Sequence, residues 1–121
     1  MDKIILDSFI LITKIGGYVI LFSIFACFLN MLLPTSSLFG IACLGSMEIT
    51  TGMSYVATAP LSLQIKEVLS ASILAFGGLC AAAQTSSVLS QSELPIFPYL
   101  VNKLINAVIA GGLVYLLFCI F

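Results

Sequence analysis

"LGSMEITTG", residues Leu44 to Gly52, is a polar, glycine-bearing insertion in a chain that is otherwise oil, and it carries one of only five acidic residues. How the backbone passes Glu48 decides the fold. The surrounding stretch, "SSLFGIACLGSMEITTGMSYVATAP" (36–60), opens with Ser36 and Ser37 as candidate helix caps after Pro34 and stops at Pro60. Each of its apolar arms is too short to cross a membrane, because ~30 Å of hydrocarbon takes roughly 20 helical residues. One helix through the whole stretch would put Glu48 near the bilayer centre, at roughly 2.5–3.5 kcal/mol on insertion scales. A re-entrant hairpin, entering with Leu38 to Leu44, turning at Gly45 to Gly52 and leaving with Met53 to Ala59, puts the same glutamate at a tip buried in protein or facing water. Non-helical backbone is tolerated at that depth only there. In a tip Glu48, Thr50 and Thr51 crowd together, whereas on an unbroken helix Glu48, Thr51, Tyr55 and Thr58 form a stripe. Either arrangement suits a hydroxyl, an amine or a coupling cation. Burial would favour the neutral acid unless a cation or several backbone N–H groups compensate the charge, and a neutral acid suits proton coupling.

Composition fixes the solvent. The 121-residue chain is 61% hydrophobic and 7% charged, with a mean hydropathy of +1.25, which marks an all-α integral membrane protein rather than a soluble domain. Four Lys and five Asp or Glu nearly cancel. No basic run is present to neutralise phosphates, which sets nucleic acid aside as a partner and leaves the lipid bilayer. Cys27, Cys43, Cys80 and Cys119 are scattered without a C-x-x-C pair and there is no histidine, so neither a metal site nor a cofactor is expected and the thiols read as packing residues. The N-terminus mixes Asp2, Lys3 and Asp7, and the first apolar run ends in "NMLLP" without a small-x-small cleavage site, so it does not read as a signal peptide.

A single membrane domain over 1–121 is expected, in the order transmembrane helix 4–33, re-entrant hairpin 36–60, interrupted transmembrane helix 64–92 and transmembrane helix 96–121. Gly16 to Leu33 is uncharged and, with the lead-in from Ile4 to Ile15, makes one long helix that stops at Pro34. Leu104 to Phe121, extended back through "IFPYLVNK", makes the other; Lys103 can snorkel to the interface beside Tyr99. The third segment has Ser62 as a cap and Glu67 in its first turn, breaks at Gly77 and Gly78, and turns polar through Gln84, Thr85, Ser86, Ser87, Ser90, Gln91 and Ser92. Gln84, Ser87 and Gln91 share a helical face. The pairs Gly16–Gly17 and Gly111–Gly112 read as close-packing points and Gly77–Gly78 as a break. Two interrupted segments between two long ones are the pattern of a transporter site, where half-helix ends meet near the midplane. Such folds use two inverted repeats, and one is visible here.

The pieces "KIGGYVILFSIF", "LGSMEITTG", "FGGLCAAAQTSSVL" and "PYLVNKLI" resemble, in this order, the C-terminal half of YlbJ-type sporulation integral membrane proteins of the nucleoside-recognition or Gate superfamily. That superfamily is similar to spore-maturation proteins, to the gates of ferrous-iron transporters and to concentrative nucleoside transporters. The resemblance implies one repeat of an inverted-repeat fold, a permease or gate half-module in the cytoplasmic or forespore membrane of a bacterium, and a second Gate-like half supplied by another chain or another copy. It also implies a ligand site for a small polar solute or ion where hairpin tip and broken helix meet: Glu48, Thr50, Thr51 and Gly52 from the tip, Gly78, Gln84, Thr85 and Ser86 from the broken helix.

Other functions stay open. A structural or assembly subunit of the spore envelope would use Glu48 and the polar helix to hold a partner protein. A small multidrug exporter acting as a homodimer fits the length, but such exporters carry their glutamate in the first helix. Catalysis is not expected, because the chain offers no histidine, no G-x-S-x-G elbow and no paired carboxylates.

Overall fold

The computed structural model describes residues 2–34, 37–89 and 95–121, and every element in them is an α-helix. Helix α1 (Asp2–Leu32) runs through the lead-in and the apolar stretch as one piece of 31 residues, about 46 Å at 1.5 Å per residue. It ends two residues before Pro34, whose ring restricts the residue before it. Helix α2 (Leu38–Met47) is capped by Ser37, whose hydroxyl accepts from the Gly40 N–H at 3.0 Å. Ser36, the other expected cap, lies outside the described residues.

The turn after α2 is much tighter than the sequence suggested. The expected turn from Gly45 to Gly52 is replaced by a single extended residue, Glu48 (φ −148°, ψ 130°), with helix resuming at once as α3 (Ile49–Thr58). Gly45 and Gly52 are both helical, and their role is proximity. They face each other so closely that a Cβ on Gly52 would collide with the Gly45 Cα. One repeat further out, buried Ile41 and Val56 join the same core cluster, so the two helices run antiparallel along their length. Each has ten residues, about 15 Å of helix against a hydrocarbon layer of ~30 Å.

Ser62 caps α4 (Leu63–Phe76), accepting from the Ile65 N–H at 3.4 Å. Because the helix begins at Leu63, Glu67 falls in the second turn and not in the first, which the sequence pattern predicts for it. Helix α4 ends in two left-handed glycines, Gly77 (φ 81°) and Gly78 (φ 74°), a conformation that costs an L side chain about 1–2 kcal/mol. Helix α5 (Gly78–Leu89) then departs. The polar face expected to continue through Ser90, Gln91 and Ser92 lies beyond the described residues. Helix α6 (Ile96–Ile120) tolerates Pro98 because that residue sits in the first turn, where no intrahelical N–H bond is required.

Helices α4 and α6 form an antiparallel seam, with Gly111 against the Ser72 side chain and Gly77 level with Lys103. Of the expected close-packing glycines Gly111 alone meets a neighbour; Gly16, Gly17 and Gly112 have no atom of another described element within 4 Å of a would-be Cβ. The α2–α3 hairpin lies against α4, with Ile73 seated on Gly45. Helices α1 and α5 flank it. Three stretches are long and apolar enough to cross a membrane: α1, the α4–α5 pair taken as 27 residues, and α6. Their outward faces carry large exposed side chains such as Phe9, Phe28, Val108 and Leu116. Water would penalise such continuous apolar faces, and lipid would not.

Candidate functional site

Glu48 caps the helix that it starts. Its carboxylate accepts the Thr50 N–H at 3.0 Å on Oε1. On Oε2 it accepts the Thr51 N–H at 2.8 Å, the Thr51 hydroxyl at 2.9 Å and the Thr50 hydroxyl. The sequence "MEITT" therefore carries its own cap: the acid at the N-cap position and hydroxyls at the second and third helical positions, where both backbone N–H groups lack intrahelical partners. At 5% exposure, Glu48 is the one buried charged residue among the described ones. Burial is offset by two backbone N–H groups and two hydroxyls, together with the partial positive charge of the α3 N-terminus. That is the compensation by N–H groups on which the charged form depends.

The tip is seated on the break in the neighbouring helix. A Cβ on Gly78 would lie 3.4 Å from the Met47 carbonyl oxygen, 3.6 Å from the Glu48 Cα and 3.6 Å from the Ile49 nitrogen. Four helix ends therefore converge: the C-termini of α2 and α4, and the N-termini of α3 and α5. Their unsatisfied carbonyl and amide groups place partial charges of both signs around one point. Lys103 adds a full one. Its Nζ would be 3.5 Å from a Cβ on Gly77, at the negative end of α4, and it lies 5.7 Å from the centre of the Tyr99 ring. Lys66 does the same for α3, donating to the Ala57 carbonyl at 2.8 Å.

Of the residues singled out from the sequence, Glu48, Thr50, Thr51, Gly52 and Gly78 come together at this junction. Gln84, Thr85 and Ser86 lie further along α5. Gln84 is six residues past Gly78, roughly 9 Å up the helix axis. Its amide donates to the buried Cys80 thiol at 3.3 Å. Thr85 donates to the Ala81 carbonyl at 2.8 Å, and 3.5 Å separates it from the Tyr99 hydroxyl. Ser86 is half-buried on the same helix. Between tip and polar helix stands Cys80, buried two residues past the break and holding the Gln84 amide. In the sequence that thiol reads as a packing residue. Its signal was positional: two residues after the break and one helical turn before Gln84.

Comparison with known proteins supplies one relative. The chain is 30% identical over 120 residues to the "Sporulation integral membrane protein YlbJ" of Bacillus subtilis (strain 168), an alignment that covers 85% of this chain and 29% of that protein. The chain thus spans about three tenths of the length of the curated relative it matches. No family model matches it. No solved structure matches it either. The three apolar stretches and this likeness agree with the resemblance read from the sequence: the chain is an integral membrane protein similar, over most of its own length, to a YlbJ-type sporulation membrane protein.

Proposed function

We propose that the chain is one gate-like half-module of a membrane permease that serves sporulation, binding a small polar solute or ion where the α2–α3 tip meets the α4–α5 break. One observation carries the reading: the two interruptions of the chain, at Glu48 and at Gly77–Gly78, meet in space. Broken helices whose ends converge inside a membrane are costly unless they surround something polar. The hairpin is then re-entrant, since its ten-residue arms cannot span. The role is non-enzymatic, and a second half, from another chain or another copy, completes the site. The link to sporulation rests on the printed name of the relative, and the membrane would be the cytoplasmic or forespore membrane.

A second reading is favoured by the four hydrogen bonds that Glu48 already receives. A carboxylate so engaged serves as a structural cap, and the chain then acts as an assembly subunit of the envelope. The two readings separate by transport. The chain, co-purified with whatever partner it retains, would be reconstituted in liposomes and assayed for uptake of labelled nucleosides and monovalent cations. Uptake lost in both Glu48→Gln and Gly78→Ala, with protein still monodisperse, supports the gate. Uptake unchanged in both variants, or absent from wild type for every solute while a stoichiometric protein partner is retained, supports the subunit.

A further inference from the structure

Apart from the tip, the chain holds a second polar place. A cleft of about 320 Å³ opens between α1 and α5, lined by Lys14, Tyr18, Gln84 and Thr85 among the apolar Leu11, Ile15 and Val88. A recess of about 230 Å³ adjoins it, sharing Lys14 and Leu11 and adding Asp7. Glu48 lines neither.

We propose that this cleft binds the headgroup of an aminophospholipid, with the phosphate at Lys14 and the primary amine at Asp7. The order of residues along α1 supports the assignment. Asp7, Leu11, Lys14 and Tyr18 recur at helical spacing and so share one face. The uncharged run of α1 starts at Ile15, which sets Lys14 at the edge of the hydrocarbon, Asp7 two turns toward water and Tyr18 one turn inward. A phospholipid has the same layering, with its amine outermost, then its phosphate, then the ester carbonyls, then the acyl chains. Tyr18 contributes a hydroxyl at ester depth, and Gln84 an amide with a hydrogen beyond the one given to Cys80. Leu11, Ile15 and Val88 supply apolar walls for the chains.

Charge selects the class. Lys14 alone would favour any anionic lipid. Asp7 on the same face opposes a second negative group and pairs with a cation, so the two together complement a zwitterion bearing a primary amine. Among the described residues no ion pair joins Asp7 to Lys14. A bridging phosphoethanolamine satisfies both.

The test uses the whole chain in nanodiscs of equal phosphatidylethanolamine, phosphatidylglycerol and phosphatidylcholine, with retained lipids read by native mass spectrometry after detergent release. Wild type should retain phosphatidylethanolamine about five- to tenfold over either competitor, the weight of one headgroup-level charge contact. Lys14→Gln should lower retention of every phospholipid, and Asp7→Asn should shift preference toward phosphatidylglycerol. Lys14→Arg and Asp7→Glu keep the charges and should keep the preference, which separates loss of binding from loss of fold. Equal retention of the three lipids, preference for phosphatidylglycerol in wild type, or a preference indifferent to Lys14→Gln and Asp7→Asn would each overturn the proposal. A further arm adds free phosphoethanolamine: displacement of the lipid at equal concentration would show that the apolar walls contribute nothing, and a soluble phosphoamine would replace the lipid as ligand.

Discussion

Gly52 lies directly against the Cα of Gly45, so the two arms of the hairpin touch backbone to backbone. An alanine methyl at 52 has no side chain to push aside. Only the hairpin can open, and the tip then leaves the α4–α5 break. By contrast, a methyl at 45 meets the Ile73 side chain, at its Cδ1 and Cγ1, and not backbone, so a shift of one side chain within the core can relieve it without opening the hairpin. Gly52→Ala should therefore cost at least ~3 kcal/mol and Gly45→Ala about 1–3 kcal/mol, beyond and within the usual range for overpacking respectively. Gly112→Ala, on an open stretch of α6, should be neutral or stabilising by up to about 1 kcal/mol through helix propensity. Thermal unfolding in mild detergent checks the order; a Gly52→Ala midpoint equal to that of Gly112→Ala would refute the contact.

The capping role of Glu48 makes a graded prediction. Glu48→Ala leaves two N–H groups and two hydroxyls without their acceptor, and a buried donor left unsatisfied costs about 1–3 kcal/mol. Glu48→Gln keeps one oxygen for the three donors on Oε2 but turns an amide N–H₂ toward the Thr50 N–H. Stability should fall in the order Glu, Gln, Ala, with hydrogen exchange at Thr50 and Thr51 accelerating in step. Equal exchange in all three proteins would remove Glu48 from the cap.

Much of this fold can be read from the chain, and the limits have physical causes. Uncharged run lengths locate α1, α6 and the interrupted segment because the bilayer sets a minimum length that charge counting detects. The break at Gly77–Gly78 is legible because polar residues follow it. The width of the hairpin turn is not. Glycine serves equally for a turn and for close approach, and Gly45 and Gly52, which read as turn residues, make a contact between helices instead. What decides the matter is the capping of α3 by Glu48 with Thr50 and Thr51, a local cluster whose capacity to restart a helix shows only in the backbone geometry. The place of Gln84, Thr85 and Ser86 follows from geometry that no motif states: a helix climbing away from its break carries its sixth residue roughly 9 Å from the tip.

Positive φ at the break separates its two glycines. Both pay the left-handed penalty when replaced by alanine, about 1–2 kcal/mol each. Asparagine tolerates that region better, so Gly77→Asn should recover most of the loss at 77. At 78 a Cβ already stands in van der Waals contact with the backbone of Met47, Glu48 and Ile49, so the further atoms of an asparagine must displace the tip, and Gly78→Asn should fail to recover it. Midpoints of the four single variants test this. Equal recovery at both positions would mean that the tip is not seated on Gly78.

Lys103 is the last test of the junction, because its charge lies at the negative end of α4 and over the Tyr99 ring. Each contact is worth about 0.5–1 kcal/mol when partly exposed, and more when desolvated. Lys103→Met removes both but keeps the length and most of the packing of the side chain, so the loss reports the charge. Lys103→Arg keeps the charge and should stay near wild type, while Tyr99→Leu should lose only the ring contact. Because Thr85 also reaches the Tyr99 hydroxyl, Tyr99→Phe isolates that weaker link and should be close to neutral. If Lys103→Met unfolds at the wild-type midpoint, the lysine merely snorkels past the break. If it falls by the sum of the two contacts and exchange quickens at the end of α4, the lysine holds the half-helix terminus in place, and with it the platform on which Glu48 sits.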